Sequence, residues 1–150
     1  MYCVRTVTKD LYWVGANDHR LTLFENIHPI PKGVSYNAYL LLDKKSVLFD
    51  TVDWSACRQL LENLAYVLDG RELDYPLVNH LEPDHAACIE EILLRHPKAF
   101  LLCTGRFIGI CCIFVTVVLR DSAALKLSCF FKAVGCTDDI LLLKAVSDEL

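Results

Sequence analysis

The sequence predicts an α/β fold on three observations. From Tyr36 to Cys103 the chain alternates strand, helix, strand, helix, strand. The strand-like pieces are short apolar runs bounded by turn residues, and the helix-like pieces repeat apolar residues at helical spacing. At the mouth of one of these strands, "VNHLEPDH" (78–85) gathers His80, Glu82, Asp84 and His85 just ahead of a helical pattern.

Each element has its own signal. Residues 4–15, "VRTVTKDLYWVG", are β-branched and aromatic and read as a strand pair turning near Lys9 and Asp10. "ANDHRLTLFENIHPIPKGVS" is polar and proline-containing and reads as a loop. Tyr36–Leu42 and Ser46–Phe49 form a hairpin around Asp43-Lys44-Lys45, which completes a mixed sheet over residues 4–50. Asp53 caps a helix over about 54–68, with Leu60, Leu61, Leu64, Val67 and Leu68 as its apolar set and Asp69-Gly70 as its stop. A strand follows near 73–78, with Pro76 tolerable near its start or on an edge. The next helix spans about 86–95, with Ile89, Ile92 and Leu93 on one face and Pro97 ending it, and "AFLLC" is the last strand. The register changes near Arg106. "FIGICCIFVTVVL" (107–119) carries no charge yet is too short to cross a bilayer, so it reads as a buried strand or helix. Gly135 and Thr137-Asp138-Asp139 read as a break followed by a new helix cap.

Composition narrows the function. With 150 residues the chain is one domain or part of a larger one, and it can bury a core without covalent staples. A net charge of −4 offers nothing to nucleic acid or an anionic membrane. The N-terminus has no apolar run of signal-peptide length, so a cytoplasmic location is expected. The eight cysteines are irregularly spaced and mostly in apolar runs (Cys103, Cys111, Cys112, Cys129), which reads as buried reduced thiols. No CxxC pair is present, which argues against a cysteine zinc knuckle.

The acidic-histidine cluster carries the chemistry. His80, Glu82 and Asp84 stand at i, i+2 and i+4, and His85 follows, so two imidazoles and two carboxylates can be offered from one short loop. Imidazole suits zinc, iron, copper and nickel, while carboxylates add hard oxygen donors and can bridge two metals. The plain alternative is a helix start, with Asp84 as cap, Glu82 nearby and two solvated histidines.

"NHLEPDH" resembles the metal-binding motif of the flavodiiron proteins (A-type flavoproteins), whose N-terminal domain has the metallo-β-lactamase fold. Hydrolases of that fold use a His-x-His-x-Asp-His loop, and the flavodiiron version carries Glu at the second position, as Glu82 does here. "YWVGANDHRLTLFENIHPIPKGVSYNAYLLLDKKSVLFDTVD", "LDYPLVNHLEPDH" and "RHPKAFLLCTGR" are similar to the family in the same order, so the resemblance covers about residues 5–106.

The resemblance implies the N-terminal half of a metallo-β-lactamase-like αββα sandwich: 1–106 as a diiron half-domain, 107–150 as an unmatched hydrophobic tail. A frameshifted or rearranged gene would produce such a tail. It also implies a non-haem diiron centre that reduces dioxygen to water or nitric oxide to nitrous oxide. FMN, in a flavodoxin domain absent from these residues or in a partner, would re-reduce the iron, with a flavin or rubredoxin-type donor and a homodimer as the family's habit. By position His80 and Glu82 match ligands of one iron and Asp84 a ligand of the other, with His85 a ligand of that second iron in some structures. His19 matches the loop lining the pocket, as a catalytic candidate, with Phe24 and Glu25 near it. Its plain alternative is a surface-loop histidine. The family's downstream His, bridging Asp and final His find no counterpart. His96, the one histidine after His85, matches no ligand. The expected function is therefore a flavodiiron-type oxidoreductase, incomplete and inactive alone. The alternatives are a non-catalytic metal-binding remnant and a zinc hydrolase of the same fold, against which Glu82 argues.

Overall fold

The computed structural model describes residues 2–24, 27–104 and 140–144. Its centre is a seven-stranded mixed sheet. The chain enters through β1 (Arg5–Thr6) and β2 (Leu11–Trp13), an antiparallel pair across the expected turn. The expected loop at 16–35 contains more order than the sequence suggests. Strands β3 (Ala16–Asp18) and β6 (Val34–Tyr36) pair with each other, as do β4 (Leu23–Phe24) and β5 (His28–Pro29), in two small sheets. Such short strands carry too few residues to show an alternating pattern. Tyr36 thus closes β6 instead of opening the hairpin.

The hairpin is β7 (Tyr39–Leu42) and β8 (Ser46–Phe49), turning through residues 43–45 as expected. A 3-10 turn (Trp54–Ala56) leads into helix α1 (Cys57–Leu68), and the Asp53 carboxylate caps the entry by accepting from Ser55 N–H at 2.9 Å. Asp69, in the left-handed region at φ 45°, ends α1. Strand β9 (Tyr75–Val78) lies between β8 and β10 (Phe100–Thr104) and is parallel to both. Pro76 is therefore in a central strand, tolerated at its second residue. The expected helix over 86–95 is two pieces, α2 (Pro83–Ala86) and α3 (Ile89–Arg95), broken at Ala87–Cys88. Residues 140–144 form β11, antiparallel to β10, so the stretch expected to begin a helix after Asp139 is a strand. Its apolar run Ile140–Leu143 supplies a strand pattern that outweighs the cap signal. The 107–119 run and the Gly135 break lie outside the described residues.

The sheet reads period two across its strands. Tyr12, Leu40, Leu48, Pro76 and Leu101 share one face. That face packs on Leu60, Leu64 and Leu68 of α1 and Ile92 of α3. Burying each such leucine contributes about 2 kcal/mol. Tyr39, Phe49, Leu77 and Leu102 point to the opposite, half-buried face. Buried Asn63 of α1 binds the entering chain, donating to the carbonyls of Val14 (2.9 Å) and Gly15 (3.0 Å) and accepting from Cys3 N–H (2.9 Å). Gly15 is required there, because a Cβ would sit 2.0 Å from the Tyr36 carbonyl oxygen. Among the described residues Cys57 and Cys88 are buried free thiols and Cys3 is free and exposed, while Cys111, Cys112 and Cys129, on which the expectation of buried thiols rests, lie outside the described residues. Among the described residues no helix is long and apolar enough to cross a membrane.

Candidate metal centre

The cluster sits where the carboxyl ends of parallel strands β8 and β9 open, the position at which α/β sheets present ligand sites. β9 delivers Asn79 and His80. Two residues on, Glu82 is the N-cap of α2 with extended backbone, and Pro83 occupies the first helical position, which its fixed φ suits. The Glu82 carbonyl accepts from His85 N–H (2.9 Å) and Ala86 N–H (3.0 Å), but its side chain makes no capping bond. The carboxylate instead faces His80, with Oε1 3.0 Å from Nε2. Asp84, in the first turn of α2, is not the cap that the plain reading assigns. Its Oδ2 lies 3.5 Å from His85 Nε2. The His80 and His85 rings meet edge to face with centroids 5.4 Å apart.

The sequence reading missed the residues beneath the loop. Asp50, just past β8, adopts φ 56°, a left-handed conformation uncommon outside glycine. Its carboxylate accepts from Asn79 N–H at 2.7 Å, and Oδ2 lies 3.4 Å from His85 Nδ1. That approach is a close contact and not a hydrogen bond, and among the described residues Nδ1 of His85 is buried without a hydrogen-bond partner. Thr51, fully buried, holds the His85 carbonyl through its N–H (2.7 Å) and its hydroxyl (2.8 Å). "FDT" at a strand end was the available signal, but an Asp-Thr pair there also reads as an ordinary turn.

The donor set fits a metal ion in part. Donors at about 2.1 Å from an ion, set roughly 90–110° apart, lie about 3.0–3.5 Å from each other. His80/Glu82 and Asp84/His85 have that spacing, and an orphaned buried imidazole nitrogen is the kind of group a ligand or a moved proton would satisfy. Yet among the described residues no three donors converge on one point. The loop therefore offers two imidazole–carboxylate pairs at metal-ligand spacing, without closing a shell around either. His96 stands at the far end of the sheet, at the end of α3 with Nδ1 3.9 Å from Glu72, and burial lowers its pKa.

A cavity of about 280 Å³ opens beside Asp84, lined also by Phe24, Tyr36 and Asp53. His19 lines a neighbouring, more polar cavity with Asp18 and Arg20, and its Nδ1 lies 3.1 Å from the Lys32 carbonyl. Ser55 borders both cavities. Glu25 lies outside the described residues.

No protein-family model matches the chain. It is 38% identical over 99 residues to the anaerobic nitric oxide reductase flavorubredoxin of Aeromonas hydrophila subsp. hydrophila, covering 65% of this chain and 20% of that protein. The protein of the same description from Salmonella arizonae is 36% identical over 103 residues, covering 68% and 22%. The chain thus spans about a fifth of the length of the curated relatives it matches. Among solved structures, rubredoxin oxygen:oxidoreductase from Desulfovibrio gigas matches with a TM-score of 0.58 at 35% identity, over 61% of this chain and 23% of that one. The flavodiiron protein from Giardia intestinalis shares the fold, with a TM-score of 0.67 at 24% identity over 79% and 28% of the two chains.

Proposed function

We propose, from a chain that over about two thirds of its length is flavodiiron in sequence and metallo-β-lactamase-like in its α/β fold, that the His80–His85 loop binds iron as part of a diiron centre. The observation that carries this is the His80 Nε2 to Glu82 Oε1 distance of 3.0 Å, with the Glu82 carboxylate making no capping bond to the helix it precedes. In this reading His80 and Glu82 hold one ion, and Asp84, with His85 beside it, belongs to the place of a second. Bound iron would supply the electrons that reduce dioxygen or nitric oxide in the family. The chain's own residues supply the binding loop and the small cavity at Asp84, whose walls Phe24 and Tyr36 keep partly apolar. His19 contributes from the adjoining cavity as a candidate catalytic residue.

The activity belongs to a more complete assembly. The described donors leave both half-shells open, and FMN with its flavin or rubredoxin-type donor must come from a further domain or a partner chain. A cytoplasmic location is the setting this reading expects; the homodimer is the family's habit, and its reason, FMN of one subunit facing the iron of the other, needs the further domain. The zinc-hydrolase alternative is disfavoured, because the matches are to flavorubredoxins and flavodiiron proteins and Glu82 replaces the hydrolases' histidine.

Anaerobic Fe(II) titration tests the reading. The expected stoichiometry is at most about one ion per chain, since metal affinity follows ligand count and a supported site. Iron-loaded protein with excess reduced flavin should consume dioxygen or nitric oxide no faster than free iron. Two tightly held ions, or steady turnover abolished by His80→Ala and Glu82→Ala, would show that the chain completes the site itself.

A further inference from the structure

We infer that Thr51 is a positioning residue for the ligand loop, its buried hydroxyl fixing the break between α2 and α3 and with it the direction in which Asp84 and His85 present their donors. The inference rests on the iron-loop reading and deepens it.

α2 has four residues, too few to hold an orientation by its own hydrogen bonds. Its direction must be imposed from outside, and Thr51 is placed to impose it. The Thr51 hydroxyl lies 2.8 Å from the His85 carbonyl oxygen and 3.5 Å from that of Val52, so its proton goes to His85. The Thr51 N–H donates to the same carbonyl at 2.7 Å. The hydroxyl oxygen in turn accepts from Cys88 N–H at 3.4 Å. Cys88 is the N-cap of α3 and makes no side-chain capping bond to its own helix. One side chain thus grips the last turn of α2 and the N-cap of α3, across the point where the helix breaks. Thr51 is itself anchored: it is fully buried, and the preceding Asp50 N–H is bound to the Leu77 carbonyl at 2.8 Å. The carbonyl it holds belongs to the residue whose buried Nδ1 faces Asp50 and makes no hydrogen bond among the described residues, so a small rotation of this turn would re-aim that nitrogen.

The test compares Thr51→Val, which keeps the shape and loses the hydroxyl, with Thr51→Ser, which keeps the hydroxyl. Amide hydrogen exchange at Cys88 and anaerobic Fe(II) affinity are read on each full chain. Thr51→Val should speed exchange at Cys88 about tenfold, leave α1 amides unchanged and weaken Fe(II) about tenfold, the size of effect known for groups that orient metal ligands. Thr51→Ser should restore both to within about threefold by the same argument. If Val and Ser lower the melting temperature alike while Fe(II) affinity and Cys88 exchange stay native, Thr51 only fills space and the inference is overturned. Should Thr51→Val fail to fold, Thr51→Ala is read by the same criteria. A native chain that binds no Fe(II) defeats the iron-loop reading, and Cys88 exchange alone then decides Thr51: tenfold faster in Val but not Ser upholds it, and unchanged exchange overturns it.

Discussion

The two ends of the parallel pair β8 and β9 are built on opposite plans. At the entering end Ser46 and Asp74 bind each other and their neighbours. Asp74 accepts from Lys45 Nζ (2.7 Å) and Ser46 N–H (2.9 Å), while buried Ser46 donates to the Glu72 carbonyl (2.7 Å) and accepts from Asp74 N–H (2.8 Å). The Asp74 carbonyl then receives Phe100 N–H at 2.9 Å, which binds the start of β10 into the same knot. At the leaving end Asp50 is held left-handed and, among the described residues, the buried His85 Nδ1 makes no hydrogen bond. A left-handed non-glycine residue costs about 1 kcal/mol, and an unpaired buried polar atom about 1–3 kcal/mol. The same two strands thus carry their stabilising contacts at one end and their strain at the other. That difference teaches where to look for function, because local conflict persists where something other than stability is selected.

The largest expected effect breaks the comparison at the leaving end. His80→Ala with Glu82→Ala should weaken Fe(II) binding by about 100-fold or more, since each half-shell has few donors to spare. Both side chains are substantially exposed, 45% and 56%, so the melting temperature should hardly move. Calorimetry of the metal-free variant beside an Fe(II) titration checks both halves. A large drop in stability would mean that the loop is structural after all.

Next in size is the reverse experiment at the entering end. Ser46→Ala leaves the Glu72 carbonyl and Asp74 N–H without their buried partner, at a cost of about 2 kcal/mol. Denaturant unfolding should show that loss, while Fe(II) affinity stays native because the knot lies at the other end of the strands. Metal loss in parallel with stability would show that the two ends are one cooperative unit.

How much of this was legible follows from the length of each pattern. The hairpin turn at 43–45, the helix ending at Leu68 and the capping Asp53 carry their signals within a few neighbouring residues, and they stand where the sequence puts them. The candidate ligand loop stood out in the sequence because its donors are contiguous. Its supports did not, because Asp50 and Thr51 act on residues some thirty-five positions away, and no periodicity records that. The helix break at Ala87–Cys88 was hidden for the same reason: a hydroxyl from another element meets the chain there. Asn63 was hidden too, a polar residue on the buried face of α1 whose partners, Cys3, Val14 and Gly15, lie far back in the chain.

The smallest effect sharpens the comparison through pH. Hydrogen bonding from Lys45 first, and from Ser46 N–H after it, lowers the Asp74 pKa from 3.8 to about 2. A carboxylate depressed on folding contributes stability above its unfolded pKa, and that stability is lost as the pH falls through the folded value. The contribution of Asp74 should therefore be whole above about pH 4 and fade between there and about pH 2. Asp74→Asn removes the charge at every pH. The gap in melting temperature between the native chain and this variant should be constant near neutrality and narrow across that acid window. Lys45 is 62% exposed, so solvent screens the pair and the gap should be modest and shrink further in salt. Other carboxylates titrate in the same range, but they are common to both proteins and cancel in the difference. A gap that stays constant down to pH 2 would place the knot's stability in Ser46 and the backbone alone, and would leave the charge of Asp74 with no share in it.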